Sequence, residues 1–164
     1  MEKNYLNRFH YTKSSNLRNF QFKLLRSRIP TNKFLHTIRV KDNNLCTFCK
    51  KDIETLIHSF WTCVIVQNLW KCLERWLQSR HLLPGSNGIN KLDAVALNSK
   101  PENISLGFCR LAARYYIVNI KLQEKDPNIS DFLKQLKHFE LVERETLPQK
   151  EFYNKWKHLQ MYSQ

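Results

Sequence analysis

The feature that most constrains the fold of this chain is a group of three cysteines and one histidine in a short stretch. Cys46 and Cys49 form a Cys-x-x-Cys pair, and His58 and Cys63 follow soon after it. A tight turn directs the thiols of such a pair toward one point, and three thiolates with one imidazole match the tetrahedral preference of zinc. We therefore predict that Cys46, Cys49, His58 and Cys63 bind one Zn²⁺ ion, and that folding of this segment depends on the metal.

The predicted zinc site has alternatives in the same residues. A closed shell of four protein ligands leaves no position for water or substrate, so the zinc would be structural rather than catalytic. A redox-active cysteine pair is disfavoured because no strand–helix–strand pattern surrounds it, and simple burial of the cysteines is the other alternative. Cys72 and His81 are possible substitute ligands, although both follow the start of an apolar helix. Cys109 lies on an apolar helical stripe typical of a core.

Basic residues are distributed unevenly along the chain. It contains 27 Lys and Arg against 14 Asp and Glu, which gives a formal net charge of +13. Lys and Arg recur from Lys3 to Lys41 with no acidic residue between them. Because neutralised phosphates release counterions, this segment favours nucleic acid (RNA, DNA or both) as the partner over a merely solvated surface. The predicted contacts are Arg18, Lys23, Arg26, Arg28 and Lys33.

Aromatic residues are frequent around the proposed metal site, and exposed aromatics can stack on unpaired bases. Packing over a small zinc core is the commoner role for such rings. We expect packing for Phe60, Trp61, Trp70 and Trp76, and we take Phe48, between the two first cysteines, as the best candidate for base stacking.

Helical spacing of apolar residues predicts a mainly α fold, with a small zinc knuckle embedded between helices and further helices after it. The first helix should end near Arg28 because Pro30 disfavours helical geometry at the residue before it, and its apolar positions are Leu17, Phe20, Leu24 and Leu25. Thr31 and Thr55 are predicted to cap the next two helices. The predicted apolar side of the Thr31-capped helix consists of Phe34, Leu35 and Ile38.

Three regions are predicted along the chain: residues 1–80 with the basic helices and zinc-binding domain, 81–104 as a loop or linker, and 105–164 as a C-terminal helical region. The boundary rests on the lapse of helical spacing and on the run Pro84-Gly85-Ser86-Asn87-Gly88. A helix follows Cys63 with one face formed by Ile65, Leu69, Leu73 and Trp76. In the last region, Ser130 is the predicted cap of a helix that carries Phe132, Leu133, Leu136 and Phe139.

Several of these segments resemble a known family. The resemblance is to the zinc-binding domain that follows the reverse transcriptase of LINE-type (non-LTR) retrotransposons, and it rests on Phe20-Gln21-Phe22-Lys23-Leu24-Leu25-Arg26, Ile29-Pro30-Thr31-Asn32, Cys46-x-x-Cys49, Glu54-Thr55-x-x-His58 and Cys63. Later segments of the chain resemble the ending of such polyproteins, namely Ala113-Arg114-Tyr115-Tyr116-Ile117, Lys121, Pro127, Phe132 and Lys155-Trp156. The resemblance implies a module that helps to hold RNA template and target DNA during target-primed reverse transcription, with zinc on the same four residues.

The resemblance does not imply an enzyme. Polymerases of this kind hold two magnesium ions with paired aspartates, and no adjacent Asp-Asp occurs in this chain. We therefore expect a non-catalytic fragment, from a decayed element, a truncated gene or a domesticated remnant. The competing interpretation is a protein-docking module that packs against the reverse transcriptase core.

The expected location is intracellular. No apolar run approaches the roughly 20 residues that cross a bilayer, and the N-terminus lacks a secretory apolar stretch, so no membrane partner is expected. The basic charge and the retroelement resemblance indicate a nuclear location.

Overall fold

The computed structural model describes residues 11–83, 88–95 and 103–160. Within these ranges the chain is helical, with one isolated antiparallel bridge between Leu45 and Ile53 and no strand. A short π-helical segment, His58–Thr62, precedes the third α-helix. The α-helices in chain order are α1 Ser15–Leu25, α2 Asn32–Thr37, α3 Val64–Ser79, α4 Lys91–Val95, α5 Ile104–Leu122, α6 Ile129–Thr146 and α7 Gln149–Trp156. The predicted mainly α class, with a cysteine and histidine cluster between helices, is confirmed.

The first helix begins and ends for local reasons. The Ser14 side chain accepts a hydrogen bond from the Leu17 N–H, which satisfies one of the free donors at the start of α1. The helix ends at Leu25, slightly before the predicted end near Arg28, because Ser27 adopts a positive φ of 51°. The predicted apolar positions Leu17, Phe20 and Leu24 are buried.

The second helix confirms one expectation and corrects another. Thr31 caps it as predicted, since its hydroxyl accepts a hydrogen bond from the Phe34 N–H. Its predicted apolar side is largely exposed, however, with Phe34 at 53% and Ile38 at 49%. Six residues make too short a helix to bury a full face, and α2 is held to the fold mainly by polar contacts of Asn32.

Helix α5 forms the centre of the core. It packs against α1, α4, α6, α7 and the π-helical segment. Phe108 of α5 makes edge-to-face contacts with Trp156 (ring centroids 5.2 Å apart) and Phe139 (5.8 Å), and Tyr115 makes one with Phe20 of α1 (5.4 Å). Such pairs stabilise beyond the area they bury, so the aromatic residues fix how the C-terminal helices pack on α5.

Two helices differ in detail from their predicted form. The buried face of α3 consists of Val66, Leu69, Trp70, Leu73 and Leu77, which is rotated from the predicted stripe that contained Ile65 and Trp76. The cap of α6 is Asn128 rather than Ser130, because the Asn128 side chain accepts from the Asp131 N–H.

The segment predicted as a loop, 81–104, is partly helical and partly buried. It contains α4, and Leu82, Leu83, Ile89 and Ala94 are buried in the same core as the flanking helices. The low helical periodicity reflects the shortness of α4. Of the predicted Pro84–Gly88 loop, residues 84–87 lie outside the described residues, as do 96–102. The division into 1–80, 81–104 and 105–164 stays a prediction.

No helix in the described part of the chain is both long and apolar enough to cross a bilayer.

Candidate metal centre

The first cysteine pair lies on a tight hairpin-like turn. The Cys46 N–H donates to the Asp52 carbonyl (2.8 Å), and the Lys50 N–H donates to the Cys46 carbonyl (2.9 Å). Lys50 adopts a positive φ of 55°, which reverses the chain directly after the second cysteine. Together with the Leu45–Ile53 bridge, these bonds close a short hairpin around the pair.

The other two ligands are placed by helix ends. The Thr55 hydroxyl accepts a hydrogen bond from the His58 N–H (3.0 Å), so the predicted cap is confirmed and it orients the turn that carries the imidazole. Cys63 ends the π-helical segment and is the N-cap residue of α3. The wider π-helical turn therefore brings His58 and Cys63 to the same point as the cysteine pair.

The four side chains fit a tetrahedral zinc ion. Their ligand atoms all lie within 4.8 Å of one another. The Cys46 and Cys63 sulfurs are 3.8 Å apart, and the Cys49 sulfur is 3.3 Å from His58 Nε2. With Zn–S bonds of about 2.3 Å and Zn–N bonds of about 2.0–2.1 Å, a tetrahedron places two sulfurs about 3.8 Å apart and a sulfur and a nitrogen about 3.6 Å apart. The spacing and the donor set both suit zinc.

The surroundings of the cluster favour the thiolate form of Cys63 and the thiol form of Cys46. Cys46, His58 and Cys63 are buried, and Cys49 is half-buried. A hydrogen bond from the Cys46 thiol lowers the pKa of Cys63, and the Val66 and Ile65 N–H groups at the start of α3 lower that pKa further. The same hydrogen bond and burial raise the pKa of Cys46. A bound metal ion would take the place of this shared proton, because ligating thiols are deprotonated.

The His58 ring is fixed by a second hydrogen bond. Its Nδ1 lies 3.1 Å from the Thr62 hydroxyl, while Nε2 faces Cys49. Outer partners of this kind set the tautomer and the orientation of a ligating imidazole. The pairing leaves Nε2 as the nitrogen that would hold the metal.

A buried carboxylate next to the cluster connects three parts of the chain. Glu54 is fully buried. Its Oε1 accepts from the Asn32 N–H (2.8 Å) and from Lys121 Nζ (2.6 Å), and its Oε2 accepts from the Thr47 N–H (3.1 Å). Thr47 lies between the first two cysteines, so one side chain contacts α2, the metal-binding turn and α5.

Lys121 and Asn32 complete this polar cluster. Lys121 Nζ also donates to the Pro30 carbonyl (2.9 Å). Asn32 Nδ2 donates to the Leu45 carbonyl (2.6 Å) and to the Thr47 hydroxyl (3.0 Å). Glu54, Asn32 and Lys121 are not marked as functional by any local pattern, although all three are among the residues that carry the family resemblance. Their partners are too far apart in sequence for spacing to reveal them.

The basic residues predicted to contact nucleic acid lie in α1, in α2 and between them, and all five are exposed: Arg18, Lys23, Arg26, Arg28 and Lys33. The Arg26 guanidinium lies over the ring of Phe22, 5.6 Å from its centroid. The structure therefore places these cations at the surface, and their contact with nucleic acid stays a prediction.

The structure corrects the interpretation of Phe48. Its side chain is only 8% exposed and belongs to the hydrophobic core. A ring buried in this way has no open face for a base, because the turn that directs the two thiols toward the metal directs the Phe48 ring into the core. Phe60 and Trp70 are buried as expected, and Trp70 Nε1 donates to the Phe60 carbonyl (2.7 Å).

The remaining cysteines in the chain lie outside the cluster. Cys109 is fully buried in α5, as the apolar stripe predicted, and burial raises its pKa to about 12. Cys72 is half-buried on α3. Neither Cys72 nor His81 joins the group of four ligands, so the alternative ligand sets are not supported.

The fold and the cluster together define a helical module with a structural zinc site. Residues 2–70 match a family model described as zinc-binding in reverse transcriptase. The matched segment includes all four cluster residues, so the match and the geometry independently support zinc as the cofactor. The matching family is described by zinc binding and not by a catalytic activity. No curated protein matches the chain.

Proposed function

We propose that this chain is a non-catalytic module that binds nucleic acid and is structured by one zinc ion on Cys46, Cys49, His58 and Cys63. The observation that carries the proposal is a group of exposed cations in α1, in α2 and between them, which we call the cationic surface. The cations of this surface are Arg18, Lys23, Arg26, Arg28 and Lys33, and no acidic residue occurs from Lys3 to Lys41. Exposed cations attract phosphates, and an affinity that depends on such contacts falls steeply with salt.

The zinc centre supports this surface through the polar cluster around Glu54. The metal would fix the turn that contains Thr47, whose N–H and hydroxyl contact Glu54 and Asn32. Asn32 is the first residue of α2, and its side chain and N–H are both held in this way. Zinc would therefore act on nucleic acid indirectly, by fixing the position of α2 and the cations near it.

We further propose that the module derives from the post-polymerase region of a LINE-type (non-LTR) retrotransposon, as a C-terminal fragment of its reverse transcriptase. The module would bind the RNA template, the target DNA or both. The expected location is the nucleus. The match to the zinc-binding family and the sequence resemblance beyond residue 70 support this origin.

A second candidate function is docking onto protein, such as the reverse transcriptase core. The observation that favours it is a set of exposed apolar side chains in α1, in α2 and just after α2, namely Phe22, Phe34, Ile38 and Val40. Protein docking through these residues would depend weakly on salt, whereas phosphate binding would depend on it strongly.

The deciding experiment is a titration of the zinc-loaded chain with labelled single-stranded RNA and DNA at several salt concentrations. If all five cations contact phosphates, the logarithm of the affinity should fall against the logarithm of salt with a slope of about −3.5. The double variant Arg26→Gln/Lys33→Gln should flatten the slope. Lys150→Gln/Lys157→Gln on and beside α7 removes the same charge from exposed positions and is the matched control. An equal loss in both variants, or no binding at all, would contradict the proposal.

A further inference from the structure

A groove runs beside α2 on the cationic surface. It has a volume of about 760 Å³ and lies between the end of α1, α2 and the residues that precede the π-helical segment. We name it the Phe34 groove, after the side chain that is most exposed of its apolar members. Its lining includes Arg28, Ile29, Lys33, Phe34 and Leu56.

The walls of the Phe34 groove combine three kinds of chemistry. Ile29 is 5% exposed and Leu56 is half-buried, so they form an apolar floor. The Phe34 ring is 53% exposed and forms one wall. Arg28 and Lys33 are exposed cations, and no acidic side chain is among the described residues that line the groove.

This combination selects for a particular class of ligand. An unpaired base offers a planar apolar face that stacks on an aromatic ring, and the phosphates on either side of it offer negative charge to cations. Arg28 and Lys33 line the same groove as the apolar residues, so the groove is complementary both to a base and to the phosphates beside it. Residues 3–41, which supply most of the groove lining, contain Lys and Arg but no Asp or Glu, and this charge favours an anionic partner.

We propose that the Phe34 groove binds an unstacked base of single-stranded nucleic acid, with Phe34 as the stacking residue and Arg28 and Lys33 on the neighbouring phosphates. This inference rests on the proposed function and assigns the stacking role to Phe34 in place of Phe48. The Phe34 ring is exposed because α2 is short and held by the polar contacts of Asn32.

The test uses the full zinc-loaded chain with two fluorescent oligonucleotides, oligo(U) and an abasic strand with the same number of phosphates. Stacking on one aromatic side chain changes affinity by roughly 5- to 150-fold. Wild type should therefore bind oligo(U) at least about 5-fold more tightly than the abasic strand. Phe34→Leu should remove most of this preference without changing the salt slope, and Phe34→Tyr should retain it.

Control variants separate the stacking role from general effects. Tyr153→Leu removes another exposed aromatic ring, on α7, and should leave the preference for bases unchanged. Lys33→Gln should lower the salt slope by about 0.7 and leave the preference for bases intact. Zinc content and circular dichroism are measured to establish that each variant is folded. Because the Phe34 side chain is exposed, we expect its substitution to leave the fold intact.

The failures of the two proposals are distinguishable. If wild type binds neither strand, both the proposed function and this inference are wrong. If wild type binds with a steep salt slope but Phe34→Leu keeps the full preference for bases, the groove is not a base site and only this inference is overturned. Equal affinity of wild type for oligo(U) and the abasic strand also overturns it, and leaves the groove free for protein docking.

Discussion

The ion pair between Lys121 and Glu54 predicts that α5 stabilises the metal-binding region directly. We expect Lys121→Met to be strongly destabilising, because the buried Glu54 carboxylate would lose its cation and is shielded from water. The side chains are 8% and 1% exposed, and their charged atoms are 2.6 Å apart. Methionine retains most of the length and apolar stem of lysine, so the variant tests the charge rather than the volume.

The expected size of this effect follows from the burial of both groups. Removing one partner of a buried ion pair typically costs about 3–5 kcal/mol, since the other charge is left buried. Lys121 also donates to the Pro30 carbonyl, which loses its partner in the same variant. For a domain of this size, that cost corresponds to a fall in melting temperature of roughly 6–20 °C. Replacing both partners, as Glu54→Gln/Lys121→Met, should recover part of the loss because no charge remains buried.

The assay is urea unfolding at a fixed, saturating zinc concentration, followed by circular dichroism and by tryptophan fluorescence. Zinc must be held constant because a ligand that binds only the folded state adds to the apparent stability. Lys125→Met is the matched control, since Lys125 is exposed and close in sequence. If Lys121→Met lies within about 0.5 kcal/mol of this control, the range that surface substitutions occupy, the argument for a linking ion pair is wrong.

Three further predictions concern individual side chains. Thr62→Val should weaken zinc affinity about 10- to 100-fold in a competition titration with a chelator, because it removes the partner of His58 Nδ1; an unchanged affinity would contradict that role. Phe48→Ala should lower the free energy of unfolding by about 3–5 kcal/mol in urea, because the ring is in the core, and a loss of only a few tenths would indicate an exposed ring instead. Burial lowers the pKa of Lys155 from 10.5 to about 8. Between these two pH values the unfolded chain binds more protons at Lys155 than the folded chain does. The free energy of unfolding should therefore rise with pH in this range. Unfolding at pH 7.5 and 9.5 should show a larger rise for wild type than for Lys155→Arg, and equal rises would contradict the shift.

The parts of the fold that sequence predicts well are those that depend on local chemistry. Thr31 and Thr55 cap helices as expected, because a cap needs only a hydroxyl and the N–H groups just after it. The four cluster residues come together as their spacing indicated. Apolar periodicity identified the buried positions Leu17 and Phe132 in the same way.

The parts that sequence could not predict depend on contacts between distant residues. The Glu54–Lys121 pair joins residues far apart in the chain, and no local pattern marks an acid that a later helix will neutralise. Phe48 lies in a turn, where periodicity gives no information about which side of the chain is buried. Phe34 and Ile38 have the spacing of a buried face, but the described part of the chain leaves both side chains about half exposed.

The central claim is most directly tested by native mass spectrometry of the purified chain, with Cys63→Ala and Cys72→Ala as matched variants. Cys72 is a half-buried cysteine outside the cluster, so its loss controls for the removal of a thiol. One zinc ion should be found in wild type and in Cys72→Ala, and Cys63→Ala should lose it. A wild-type chain without zinc, or a Cys63→Ala chain that keeps zinc as tightly as wild type, would contradict the account.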